Sequence, residues 1–102
     1  MDDTHTISSR ELLRVLAALA DENRFRIVEL LADGGAEMSC GAIGAALDLS
    51  PSLISHHLAI LEGTGLIARR RDGLCTLNRL CQDALSHHLD TLARLVGANG
   101  AR

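Results

Sequence analysis

The segment Leu49-Ser50-Pro51-Ser52-Leu53-Ile54-Ser55-His56-His57-Leu58-Ala59-Ile60-Leu61 restricts the fold more than any other part of this chain. Ser50 is placed to cap a helix, and Pro51 falls at its first position, where a missing N–H costs nothing. At 100° per residue, Ile54, Leu58 and Leu61 share one side with Leu53 beside them, and Ser52, Ser55, His56 and Ala59 lie opposite. His57 sits at the border. The outward face is therefore small and polar, as a helix that enters a major groove must be.

Glu62-Gly63-Thr64-Gly65 ends this helix. Leu66–Arg70 and Leu74–Leu80 then read as two strands of a hairpin around Asp72-Gly73, with Arg69, Arg70 and Arg71 near its tip. Upstream, Ser8 or Ser9 can cap a first helix over about residues 9–20, with Leu12, Leu13, Leu16 and Leu19 at helical spacing. Asp21 can cap a second helix whose stripe of Phe25, Ile27, Val28, Leu30 and Leu31 stops at Asp33-Gly34-Gly35. Glu37-Met38-Ser39 is long enough only for a short edge strand. A third helix starts near Ser39 or Cys40 and runs through Ile43 and Leu47, and its Gly and Ala content suits a tight crossing with the fourth. Residues 82–97 carry Leu85, Leu89, Leu92 and Val96 at alternating steps of four and three, a seam that buries itself against another helix. The fold class that emerges is mainly α with a small β-hairpin wing: a winged helix-turn-helix of five helices, the outline of a duplex DNA reader.

At 102 residues, the chain has room for one domain over 1–102, with 1–8 and 97–102 expected to fray. A core of this size is often marginal without a partner, so size alone favours a dimer. The acidic start Met1-Asp2-Asp3 and the lack of a long apolar run point to a cytoplasmic protein without a membrane partner. Phe25 is the only aromatic residue among Phe, Trp and Tyr, which argues against single-strand binding by stacked aromatics. The net charge of -3 is unevenly spread: residues 1–37 hold eight acids against four arginines, but residues 38–81 hold three acids against four. Positive charge is thus concentrated where a DNA reader needs it. No nucleophile with a base, paired acids or phosphate loop has the context an enzyme requires.

Leu19-Ala20-Asp21-Glu22-Asn23-Arg24-Phe25-Arg26-Ile27, the segment Leu49-Ser50 to Ser55-His56-His57-Leu58, and Leu61 with Gly65-Leu66-Ile67 before the arginine-rich wing occur in family order. Over roughly residues 10–96 the chain resembles the ArsR/SmtB family of bacterial metal- and stress-responsive winged-helix repressors. The resemblance implies five helices, a two-stranded wing and a homodimer joined mainly through the first and last helices. It also implies binding to an imperfect inverted repeat in an operator, with release when an inducer binds.

For DNA, the candidate contacts are Ser50, Ser52, Ser55, His56 and His57 on the fourth helix and Arg69, Arg70 and Arg71 on the wing. Arginines there can neutralise phosphates or reach a minor groove. The alternative for the arginines is a solvated strand end; for the serines it is capping at Ser50 and surface filling elsewhere. His57 suits packing as well as DNA contact.

For sensing, one family arrangement places a Cys-x-Cys inside Glu-Leu-Cys-x-Cys at the start of the third helix. Here Glu37-Met38-Ser39-Cys40-Gly41 has Ser39 and Gly41 at the two cysteine positions, a departure from the arsenic or cadmium site. Another arrangement uses the last helix for zinc, and Gln82, Ala84, Leu95 and Ala98 stand at its positions, so that pattern is absent. What remains is Cys40, Cys75 and Cys81, with no Cys-x-x-Cys pair. If the Met38 strand joins the wing, Cys40 and Cys75 share a sheet and Cys81 opens the last helix. Two or three thiolates there could hold a thiophilic metal or metalloid such as As(III), Cd(II) or Cu(I), or could oxidise. Anionic sulfur is favoured at a helix N-terminus. The bland alternative is that the cysteines are small core residues and the chain is a DNA-binding or protein-interaction module that senses no ligand. Asp83, His87 and Asp90, with His88 alongside, form a secondary metal candidate on one face of the last helix; its alternative is a solvated polar stripe.

Overall fold

A computed structural model describes residues 3–100, with side chains over 9–97. In chain order the elements are α1 (Asp3–Leu19), α2 (Glu22–Gly34), β1 (Met38–Ser39), α3 (Cys40–Leu47), α4 (Pro51–Gly63), β2 (Ile67–Asp72), β3 (Cys75–Leu80) and α5 (Gln82–Gly100). The five helices and the hairpin match the architecture read from the sequence.

Helix boundaries follow local chemistry. Asp21 caps α2 by accepting from the Arg24 amide, and Gly35, with φ 65°, closes it by donating to the Leu31 carbonyl. Ser39 caps α3 through the Ala42 amide at 3.0 Å, and Ser50 caps α4 through the Leu53 amide at 3.3 Å, with Pro51 next in line. Asp48 ends α3 in the left-handed region, φ 56°, which aspartate tolerates better than bulkier residues.

Two boundaries differ from the sequence reading. α1 begins at Asp3, so Ser8 and Ser9 lie inside it rather than capping it, and α5 continues to Gly100. Serine inside a helix is only a few tenths of a kcal/mol worse than alanine, so a residue able to cap does not force a start. Residues 1–2 and 101–102, also expected to fray, lie outside the described residues.

The sheet has the order β1-β3-β2, all antiparallel. Met38 pairs with Asn78 and Ser39 with Leu77, so the short edge strand expected before α3 joins the wing and makes it three-stranded at its base. Asp72 pairs with Cys75 across the two-residue loop Gly73-Leu74. Gly73 has φ 66°, the positive value that the first position of such a loop requires.

The core brings together Val15 and Ala18 of α1, Ile27, Val28 and Leu31 of α2, Ile43 of α3, Ile54, Leu58 and Leu61 of α4, and Leu66, Ile67 and Leu80 around the hairpin. Two apolar residues assigned to core stripes miss it. Phe25 lies roughly a third of a turn from the line of Ile27, Val28 and Leu31, and Leu53 roughly as far from that of Ile54 and Leu58, so both stay exposed. α1 has two apolar faces: Leu12, Val15 and Ala18 turn inward, whereas Leu13 and Leu16 are exposed. α5 packs on α1 and leaves Leu89 and Val96 exposed in the same way. No described helix is long and apolar enough to cross a membrane.

Candidate nucleic-acid interface

α4 is held from below by its apolar side, and this determines what it presents. Ile54, Leu58 and Leu61 are buried, so Ser52, Ser55 and His56 project outward as the 100° rotation per residue demands. Ser50 is exposed too, with its oxygen occupied as the helix cap. Three of the five α4 candidates therefore form one uncovered polar face, with Ser50 at its leading end.

His57 is the correction. Its side chain is turned inward and the residue is only 6% exposed. Arg24 Nη1 lies 3.3 Å from His57 Nδ1, and Asp21 Oδ2 lies 3.9 Å away. Because a guanidinium only donates, the histidine nitrogen accepts in this contact. A border position on a helical wheel becomes interior when a neighbouring helix offers a polar partner, and here α2 does so.

The three arginines of β2 alternate in direction, as strand side chains must. Arg69 is half-buried: its Nε donates to Asn78 Oδ1 at 2.9 Å, Nη2 approaches Cys40 Sγ at 3.7 Å, and Nη1 lies 3.7 Å from Glu62. These contacts give Arg69 a structural role at the base of the wing. Arg70 is exposed and held by both Glu37 oxygens at 2.7 and 2.8 Å. That pair keeps the Glu37 carboxyl below the usual carboxylate range and raises the Arg70 guanidinium further. Arg71 is exposed near the tip, where its Nη2 reaches only the Gly73 carbonyl at 3.5 Å. Beside it Leu74 is 98% exposed.

The sequence reading did not single out Asn78, although it organises the wing base. It is fully buried and donates to the Met38 carbonyl at 3.1 Å while accepting from Arg69. Its signal was available: a lone amide inside Leu77-Asn78-Arg79-Leu80 interrupts an otherwise apolar inward position.

The cysteines do not converge. Cys40 packs at the foot of α3, with Asn78 Nδ2 at 3.5 Å and Arg69 Nη2 at 3.7 Å from its sulfur. Cys75 is exposed at the wing tip, and Cys81 follows the other end of β3, about 20 Å along the strand at 3.3 Å per residue. All three are free thiols. Among the described residues no three His, Cys, Asp or Glu side chains are grouped to hold a metal ion. Within one subunit neither candidate set is gathered around a metal ion: Cys40 opens α3 while Cys75 and Cys81 flank the ends of β3, and Asp83, His87 and Asp90 lie exposed along α5 with His88 turned into the fold.

A helix-turn-helix domain family matches residues 19–70, which span α2 to most of β2. A putative arsenical resistance operon repressor of Halobacterium salinarum is 44% identical over 59 residues, covering 58% of this chain but only 46% of that protein's length. The solved ArsR-like transcriptional regulator from Rhodococcus sp. RHA1 superposes with a TM-score of 0.78 at 33% identity, over 92% of this chain and 86% of that one. A homodimeric winged helix-turn-helix DNA-binding domain from Mycobacterium bovis superposes with a TM-score of 0.73 at 28% identity, over 96% and 88%. These are regulators rather than enzymes, and both the matched segment and the uncovered face of α4 place this protein with them. The chain belongs to the ArsR/SmtB family of winged helix-turn-helix transcriptional regulators.

Proposed function

We propose that this protein is a dimeric repressor that binds an inverted-repeat operator in duplex DNA and is released when a thiol is modified. The observation that carries the reading is the polar face of α4, where Ser52, Ser55 and His56 remain uncovered by every neighbouring element. These side chains read base edges and phosphates, Ser50 anchors the helix start near the backbone, and Arg71 neutralises phosphate from the wing while Glu37 holds Arg70 back. Two copies joined through α1 and α5 present the reading helices on a twofold axis, so the operator is palindromic.

The inducer acts on Cys40 before Cys75 or Cys81. Cys40 is half-buried at the start of α3, and two N–H donors, from Asn78 and Arg69, point at its sulfur. This favours oxidation of one thiol over capture of a thiophilic ion by several. With hydrogen peroxide, the Cys40 thiolate attacks one oxygen, the O–O bond breaks, the sulfur becomes a sulfenic acid, and the departing hydroxide takes up from solvent the proton the thiol had released, leaving as water. The larger, polar sulfur group displaces Arg69 and disturbs the wing.

Selection from random duplexes of about 30 base pairs, long enough for two half-sites one turn apart, tests the DNA reading. A palindromic consensus is expected, and Ser55→Ala and His56→Ala should relax it at fixed positions. A consensus without twofold symmetry overturns the dimer-on-operator reading. Peroxide should then release wild type and Cys75→Ser but not Cys40→Ser; if all cysteine variants respond alike, the protein is a regulator blind to thiol chemistry.

A further inference from the structure

The buried face of α4 holds a polar chain that DNA contact does not explain. Arg24 Nε donates to the Ala18 carbonyl at 2.7 Å, and Arg24 Nη1 reaches His57 Nδ1 at 3.3 Å. Ala18 lies in the last turn of α1, where carbonyls lack a helical partner. His57 lies in the middle of α4. Asp21 holds the Arg24 amide at 3.0 Å as the cap of α2, fixing the stem from which the guanidinium extends. α1 and α4 each pack on α2, which carries Arg24. Among the described residues, the hydrogen bonds that run from the end of α1 to α4 pass through this one guanidinium.

We infer that Arg24 and His57 are positioning residues that lock the DNA-reading helix to the end of α1 and thereby set the separation of the two reading helices in the dimer. This rests on the dimeric operator reading above. The physical reason is the planar fork of arginine: Nε and Nη1 point in fixed directions, so satisfying the Ala18 carbonyl and the His57 ring together fixes the angle between the helices that bear them. In a dimer joined through α1, that angle becomes a distance between half-sites. An apolar side chain at 57 would fill the same space on the border of the core and keep α4 packed, but it would remove the directional bond that ties its angle to the end of α1.

The test uses the full chain and two versions of the selected palindrome, one with its preferred central spacing and one with two base pairs inserted. Affinities are corrected for the active fraction by stoichiometric titration, so partial unfolding lowers both equally and leaves their ratio unchanged. Wild type should prefer the native spacing by on the order of tenfold or more, and His57→Leu and Arg24→Lys should bring the ratio to within about twofold of unity. His57→Asn, whose Oδ1 can accept at the place of Nδ1, should restore the preference. Lysine keeps the charge at 24 but cannot serve both partners, so Arg24→Lys also tests the case if His57→Leu does not fold. Full spacing preference in either folded variant overturns the positioning role and leaves the operator reading intact. Equal binding of both spacings by wild type overturns both.

Discussion

The Arg69 guanidinium lies 3.7 Å from the Cys40 sulfur, so the first arginine of the wing is directed to the foot of α3 instead of to solvent. Asn78 sits beside both and touches both. A run of three arginines is thereby divided into unlike parts: one structural, one paired with Glu37, and one free to meet phosphate.

The salt dependence of DNA binding should show this division. Each phosphate neutralised steepens the fall of log affinity with log salt by about 0.9. Arg71→Ala should flatten the slope by roughly that amount, whereas Arg69→Ala should leave the slope nearly unchanged and lower the thermal midpoint. Fluorescence anisotropy over a salt series measures the first and thermal denaturation the second. Equal flattening by both substitutions would return Arg69 to the interface.

Glu37 occupies the Arg70 guanidinium that would otherwise be available to a phosphate. Its two oxygens hold the guanidinium in a fork-to-fork pair that is accessible to solvent. Glu37→Gln should release Arg70, tighten nonspecific duplex binding at low salt and steepen its salt slope by about one contact. The pair also carries a pH signature. Arg70 lowers the folded-state pKa of Glu37 relative to its ordinary value, so its contribution to stability is present above that ordinary value and is lost as pH falls through the folded one. The thermal-midpoint difference between wild type and Glu37→Gln should be small near pH 7, because the pair is exposed, and should shrink as pH falls below the ordinary carboxylate range and through the lowered folded-state pKa. A difference that grows in acid would contradict the pairing.

The parts of this molecule that were legible in the sequence are those governed by local rules. Ser50-Pro51 and Asp21 announced their helices, Gly35 and Gly73 marked the stop and the hairpin loop, and the wheel separated Ser52, Ser55 and His56 from Ile54 and Leu58. Illegible were the contacts that depend on what another element brings. His57 needed Arg24 from α2 to become interior, and Arg69 needed Asn78 and Cys40 from two other elements to be turned inward. The cysteines failed to meet because Cys75 and Cys81 occupy opposite ends of β3, which six residues of extended chain make unavoidable once the strand is drawn.

Asn78→Ala should be among the more damaging single substitutions in the wing. It removes the donor to the Met38 carbonyl and the acceptor for Arg69 at a site without solvent. Leaving buried groups unpaired costs about 1–3 kcal/mol, and each kcal/mol moves the midpoint of a domain this size by roughly 4–8 °C. Differential scanning calorimetry should find a fall of that order, accompanied by faster amide exchange at Met38 and Ser39. Retention of the wild-type midpoint would show that Asn78 is dispensable to the sheet.

Two glycines of α3 make opposite predictions for the same substitution. At Gly41 a new Cβ would meet only Ser39 Oγ, at 4.0 Å, so Gly41→Ala gains helix propensity in open space. The gain is at most about 1 kcal/mol and smaller near the helix start. At Gly44 the added Cβ would stand 3.1 Å from the Leu49 carbonyl oxygen and 3.5 Å from Ile54 Cγ1. That carbonyl belongs to the backbone leading into Ser50, the cap of α4, and Gly44 O itself accepts from the Leu49 amide at 3.0 Å. The neighbour cannot swing away as a side chain would, so α3 and α4 must separate by a few tenths of an ångström. Overpacking of this kind costs about 1–3 kcal/mol, which exceeds the propensity gain. Gly44→Ala should therefore lower the thermal midpoint and weaken DNA binding by moving the reading helix, while Gly41→Ala should raise the midpoint and leave binding unchanged. Stabilisation by both substitutions would mean that the α3–α4 crossing has slack, and that glycine at 44 is not what sets its closeness.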